Sequence, residues 1–160
     1  MAEIIIVRGV SGSGKSTLGK ELQCQISNSV VVEADQFFTW ADGHYDYDRT
    51  EIALAHNWCQ SESARQARQG KTVIVCNTFC RFHEIEFYYN LARLKGYKFS
   101  IRECTGRFPN VHGVPDEIVQ NQIERYETHE AIQGKIAWRD KSEPSQLYPR
   151  PTKKRSAART

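Results

Sequence analysis

Nine residues near the start of the chain, Gly9-Val10-Ser11-Gly12-Ser13-Gly14-Lys15-Ser16-Thr17, have the types and spacing to hold a chain of phosphates. Glycines let a backbone curl until successive N–H groups point inward at phosphate oxygens. The pattern G-x-x-x-x-G-K-[ST] then places an ammonium, from Lys15, at the β- and γ-phosphates and a hydroxyl, from Ser16, on Mg²⁺. The ligand implied is a nucleoside triphosphate. Asp35, twenty residues beyond Lys15, supplies a carboxylate. It suits three tasks: accepting the proton of an attacking hydroxyl, capping a short helix that starts at Gln36, or holding Mg²⁺ through water. Asn77 stands where many phosphate-loop enzymes carry a metal-supporting aspartate. It can orient water or an acceptor but brings no charge to a metal, which weakens the case for a water-activating ATPase. The segment 105–115 contains Arg107 and His112 between Gly106 and Gly113, and Arg125 follows. An arginine carried over the γ-phosphate by a closing lid would neutralise transferring charge and exclude water.

The elements that must position these residues are legible as periodicities. Ile4-Ile5-Ile6-Val7 reads as a strand, and Leu18, Leu22 and Ile26 as one face of a helix. The phosphate loop therefore lies between strand and helix N-terminus, where the helix dipole favours an anion. Val30–Ala34 reads as a second strand ending at Asp35, followed by a loop, 36–48, rich in aromatics and acids. A helix is predicted from Arg49 to Gln69 with Gly70 as its stop. Thr72–Cys76 reads as a strand buried on both faces. Glu84–Lys95 reads as a helix closed by Gly96, with Ile85, Tyr88 and Ala92 on one face, and Tyr97–Cys104 as a fourth strand. Pro115-Asp116-Glu117 opens a last helix, with Val119, Ile123 and Tyr126 as its buried stripe. Strands alternating with helices imply an α/β fold, three layers with a parallel sheet between helices. Ligands then bind beyond the carboxyl ends of the strands, which gathers Gly9–Thr17, Asp35, Asn77 and the loop after Cys104 at one edge.

Composition bounds the class. The 160 residues are 39% apolar and 26% charged, which suits one soluble domain. No apolar run approaches the ~20 residues a membrane helix needs. Met1-Ala2-Glu3 has neither a basic n-region nor a glycine for acylation, so a cytoplasmic protein without membrane partners is expected. The cysteines, 24, 59, 76, 80 and 104, are odd in number and fit no metal-finger spacing, so they read as buried free thiols. Of 22 basic residues, Arg150, Lys153, Lys154, Arg155 and Arg159 fall in the last eleven positions; the rest of the chain holds 17 against 19 acids, a net −2. The expected organisation is a kinase-type domain over 1–140 and a basic, disordered tail over 141–160. That tail either guides the chain to polyanions or serves as a solvated end.

Together, Gly9–Thr17, Asp35, Asp42–Asp48, Ala55-His56-Asn57-Trp58, Val75–Thr78 and Asn110-Val111-His112-Gly113-Val114-Pro115 resemble the phosphate-loop polynucleotide kinase family, which includes phage 5′-kinases and kinase domains of larger eukaryotic DNA-processing proteins. The similarity spans about residues 3–130. It implies that Lys15 and Ser16 handle ATP and Mg²⁺, that Asp35 activates the acceptor hydroxyl, and that Arg107 or Arg125 contacts the phosphates. Pro109 stands where the family often has an arginine, Phe38 where phage enzymes have a basic residue for the acceptor's phosphate, and Cys76-Asn77-Thr78 has no aspartate. The implied activity is transfer of the γ-phosphate to a hydroxyl of a nucleic acid, foremost a 5′-OH, with the aromatic loop stacking an acceptor base. A phage-encoded chain would work in its host's cytoplasm. The alternatives are a kinase for a nucleotide, a small metabolite or a hydroxymethylated base of phage DNA, and a nucleotide-binding regulatory module without catalysis.

Overall fold

A computed structural model describes residues 2–108 and 113–141. The elements are β1 Glu3–Arg8, α1 Lys15–Gln25, β2 Ser29–Val32, a 3-10 helix Ala34–Phe38, a 3-10 turn Arg49–Glu51, α2 Ile52–Arg68, β3 Thr72–Asn77, α3 Phe82–Lys95, β4 Lys98–Glu103, α4 Asp116–Arg125 and α5 His129–Lys141. The chain divides between Glu127 and Thr128 into two compact units. In the second, α5 begins beyond Thr128, whose Oγ1 accepts the Ala131 N–H.

The first unit is built on a four-stranded parallel sheet in the order β2-β3-β1-β4. The central strands explain themselves. Every residue of β3 is buried, as are Ile4 to Arg8 of β1, so both carry apolar or β-branched side chains on both faces. Each fully buried valine or isoleucine there contributes about 1.5–3 kcal/mol.

Chain direction sets the layers. From β1 the chain moves across to β2, then turns back to β3 and on to β4. Right-handed crossovers therefore put α1 on one face and α2 and α3 on the other. Ile5, Val7, Ile74 and Cys76 meet Leu18, Leu22 and Ile26 of the first face. On the second, Asn77 and Tyr88 both reach Cys59 of α2. Helix α1 sits close: a Cβ on Gly19 would fall 2.7 Å from the Cys76 sulfur. A crevice opens at the carboxyl ends of β1 and β3, where their following helices depart to opposite faces.

The α/β three-layer reading holds, with local corrections. Strand β2 ends at Val32, and the chain tightens at once into the 3-10 helix, so Asp35 lies inside a turn. The first residues after Asp48 form the 3-10 turn before α2 begins. Helix α3 starts two residues earlier than its charge pattern suggests, and Gly96, at φ 67°, closes it left-handed. The expected stripe of α4 is not a buried one: α4 has no fully buried residue, and Ile118 and Ile123 are each 37% exposed. A break at Tyr126–Thr128 separates α4 from α5. Only Cys59, Cys76 and Cys80 are buried; Cys24 is exposed and Cys104 half-buried. The basic tail beyond Lys141, and Pro109 to His112, lie outside the described residues.

Candidate active site

The phosphate loop begins directly after β1. Gly12 and Gly14 take left-handed backbone angles, φ 81° and 96°, which L side chains resist. Gly14 serves as N-cap of α1, and its carbonyl accepts the Leu18 N–H at 3.1 Å. Lys15 opens the helix and folds back across the loop, its Nζ donating to the Val10 carbonyl at 3.0 Å. Burial lowers the Lys15 pKa, and the nearby carboxylates of Asp35 and Glu33 oppose that shift in part. An ammonium held in a half-dry loop by a carbonyl is an incomplete pairing that an anionic phosphate would complete. Ser16 and Thr17 stand exposed on the first turn of α1.

What holds the loop in place lies one residue upstream. Arg8 is fully buried at the end of β1. Its Nε donates to the Phe79 carbonyl at 2.9 Å, and its Nη2 to the carbonyls of Cys80, at 3.3 Å, and Glu127, at 2.9 Å. Its Nη1 pairs with Glu103 at 2.6 Å. The Tyr126 ring covers the guanidinium at 3.8 Å, and the Tyr126 hydroxyl donates to the same Glu103 carboxylate. Phe79 adopts φ 47°, a costly angle for a bulky residue, and presents its carbonyl to this arginine. The ends of β1, β3, β4 and α4 are thus joined through one buried charge. From α4, Gln122 Oε1 accepts the Ser11 N–H at 2.9 Å.

The Asp35 side of the edge is built differently. Glu33, not Asp35, is the N-cap of the 3-10 helix, and its N–H donates to Gln36 Oε1. That removes the capping role considered for Asp35, which is the second residue of the turn. The Tyr45 hydroxyl donates to Asp35 Oδ1 at 3.3 Å. Burial, then the Asp35 charge, pushes the Tyr45 pKa up to about 12, which keeps this donor protonated. Beyond Asp35 a small hairpin closes through the Trp40 N–H to His44 carbonyl bond and the Thr39–Tyr45 bridge. Phe38 is its buried centre, edge-on to Phe37, Tyr45 and Tyr47. Trp40 and Tyr47 are 63% and 51% exposed.

Asn77 is scaffold. Its Oδ1 accepts the Ala34 N–H at 2.9 Å and its Nδ2 faces the Cys59 sulfur at 3.5 Å. Both ends of the amide are engaged, and the Oδ1 bond pins the start of the Asp35 turn to β3.

The structure brings Lys15, Ser16 and Asp35 to the same edge, with Asp35 near enough to act on the Lys15 charge. Arg107 is exposed on the segment after β4, next to Phe108, which touches the loop. Arg125 is 57% exposed and pairs with Glu84 at 3.6 Å, at the start of α3. His112 lies outside the described residues. Among the described residues no group of three His, Cys, Asp or Glu side chains is placed to hold a metal. The donors present fit a hard cation carried in with phosphates: Mg²⁺ would rest on the Ser16 hydroxyl, phosphate oxygens and water. Arg8 escaped the sequence reading, although a charged residue closing an apolar strand is a signal. Gln122 left none.

A family model described as an AAA domain matches residues 4–107, and the chain belongs to that family. It is 30% identical over 135 residues, 78% of its length, to human NEDD4-binding protein 2, of which the match takes in 8%. It is likewise 30% identical over 108 residues, 63% of its length, to cytidine diphosphoramidate kinase of Campylobacter jejuni, of which it takes in 60%. Both relatives therefore extend well beyond the shared stretch. Among solved structures, the Pnkp1/Rnl/Hen1 RNA repair complex has a chain superposing at TM-score 0.60, with 16% identity, over 84% of this chain and 46% of that one. At that identity the likeness is one of fold.

Proposed function

We propose that this protein is an ATP-dependent phosphotransferase that moves the γ-phosphate to a nucleoside hydroxyl, foremost the 5′-OH at the end of a polynucleotide. The observation that carries the reading is Asp35, which accepts from the Tyr45 hydroxyl at the foot of an exposed aromatic hairpin and lies near enough for its charge to act on Lys15. A carboxylate there accepts the proton of the attacking alcohol as its oxygen bonds to phosphorus and the bond to the ADP oxygen breaks. Lys15 and the helix N-terminus draw off the charge gathering on the phosphate. The exposed rings of Trp40 and Tyr47 offer stacking faces to a terminal base, and stacking needs no particular sequence.

A second reading is favoured by two observations. The hairpin carries Asp42, Asp46 and Asp48, a poor setting for a polyanion, and the Campylobacter relative is named for a cytidine conjugate. The acceptor is then a free nucleotide or its small derivative. Incubation with γ-labelled ATP and an equimolar mixture of a 5′-OH oligonucleotide, nucleosides and nucleoside diphosphates separates the two. Label in the oligonucleotide supports the first reading. Label confined to mononucleotides transfers the role to the second, and no label in any acceptor contradicts both.

A further inference from the structure

The segment after β4 carries an exposed aromatic ring that the phosphotransfer scheme above leaves without a task. It runs along the phosphate loop: the Cys104 N–H donates to the Arg8 carbonyl and the Phe108 N–H to the Gly12 carbonyl, each at 2.8 Å. The Phe108 ring is fixed against two glycines. A Cβ on Gly14 would lie 3.1 Å from its Cε2 atom, and one on Gly106 would overlap the same side of the ring. The residue is nonetheless 64% exposed. Gly14 caps α1, so one edge of the ring rests where the phosphates of a nucleotide enter and the remainder faces solvent. A phenylalanine placed for core packing would bury its faces. This one has a bonded main chain, a ring seated against two glycines and most of its surface in solvent.

Sheet order gives the ring its role. Asp35 and the aromatic hairpin follow β2, at one edge of the sheet, while Phe108 follows β4, at the other, and the phosphate loop follows β1 between them. Exposed aromatic surfaces therefore flank the loop on opposite sides. Asp35 assigns the β2 flank to the acceptor, and the base of the donor nucleotide needs a surface on the other.

We propose that Phe108 is the stacking platform for the purine of the donor nucleotide and sets how much of the affinity comes from the base rather than the phosphates. This rests on the phosphate loop holding a nucleoside triphosphate. An aromatic face stacks on any purine, so ATP and GTP are held alike through this ring, and its loss leaves recognition of the phosphate chain in place.

The test compares ATP with inorganic tripolyphosphate, both with Mg²⁺, by calorimetric titration of the wild type, Phe108→Ala and Phe108→Trp. Alanine is expected to weaken ATP by about 5- to 150-fold, the range that stacking of one base confers, and to leave tripolyphosphate unchanged. Tryptophan is expected to recover ATP affinity, with its added fluorescence quenched by ATP and not by tripolyphosphate. Equal weakening of both ligands by alanine, with no recovery by tryptophan, makes the Phe108 ring a structural brace for Gly14 and overturns the proposal. So does unchanged or tighter ATP binding. A wild type that binds tripolyphosphate and ATP equally well overturns the platform alone; a wild type that binds neither overturns the nucleotide reading beneath it.

Discussion

The phosphate loop and the Asp35 turn open onto the same sheet edge, yet they are held by different means. The loop is fixed largely through main-chain groups: left-handed Gly12 and Gly14, the Val10 carbonyl that accepts from Lys15, and Arg8 beneath it, bonded to three carbonyls and to Glu103. The Asp35 turn is held by side-chain bonds, among them Asn77 Oδ1 accepting the Ala34 N–H, Gln36 Oε1 accepting the Glu33 N–H and the Tyr45 hydroxyl donating to Asp35, and it ends in a hairpin whose largest ring is mostly in water. Phosphate recognition uses a group common to every nucleotide, so it can be built into backbone. The proposed acceptor surface is made of exposed side chains of a short hairpin, which can change without disturbing the core.

Substitutions should fall on one side of this divide or the other. The largest effect is expected from Lys15→Ala, which removes a positive charge from the place where negative charge moves in the transition state. Transfer should fall by about 10²–10³-fold while the melting temperature stays within a degree or two, because Lys15 braces no core. A folded Lys15→Ala protein with full transfer rates would erase the donor side of the comparison.

On the acceptor side, a scaffold residue and a surface residue should separate. Asn77→Ala leaves the Ala34 N–H buried without a partner and is expected to cost about 1–3 kcal/mol in denaturant unfolding. Trp40→Ala, at an exposed position, should leave unfolding within about 0.5 kcal/mol and weaken acceptor binding instead. Equal stability loss in both would mean that the hairpin is part of the core.

A smaller effect concerns pH. Burial lowers the Lys15 pKa in the free protein, and phosphate oxygens in its place would raise it again. ATP binding on the alkaline side is therefore expected to take up protons and to weaken as pH climbs past the lowered pKa. Titrations in buffers of different ionisation enthalpy read that uptake, which should vanish in Lys15→Met.

How much of this was legible depended on whether a residue acts through its own type or through its neighbours. The parallel sheet and the phosphate loop were readable because β-branched runs, glycine spacing and Lys15 act by type and position. The end of β2 was misread because Glu33 and Ala34 continue an extended-looking run, while the turn is set by the Gln36 side chain and by Asn77, forty-three positions away from Ala34. Asn77 stood out by its position at the end of β3, but its bonds to Ala34 of the 3-10 helix and Cys59 of α2 could not be read from the sequence. The stripe of α4 followed the helical period, but the helix is tied down by Gln122, Tyr126 and the adjoining Glu127 through polar bonds that no hydrophobic pattern records.

The division of labour comes down to Asp35, and Asp35→Asn addresses it most directly. Asparagine keeps the size of the side chain and an oxygen for the Tyr45 hydroxyl but cannot take up a proton. Single-turnover transfer of labelled γ-phosphate to the preferred acceptor, measured beside ATP affinity on the same protein, should show transfer reduced by about 10²–10⁴-fold and ATP affinity unchanged. Transfer at the wild-type rate, or an equal loss of ATP affinity, would contradict the assignment of Asp35 as the base that activates the acceptor.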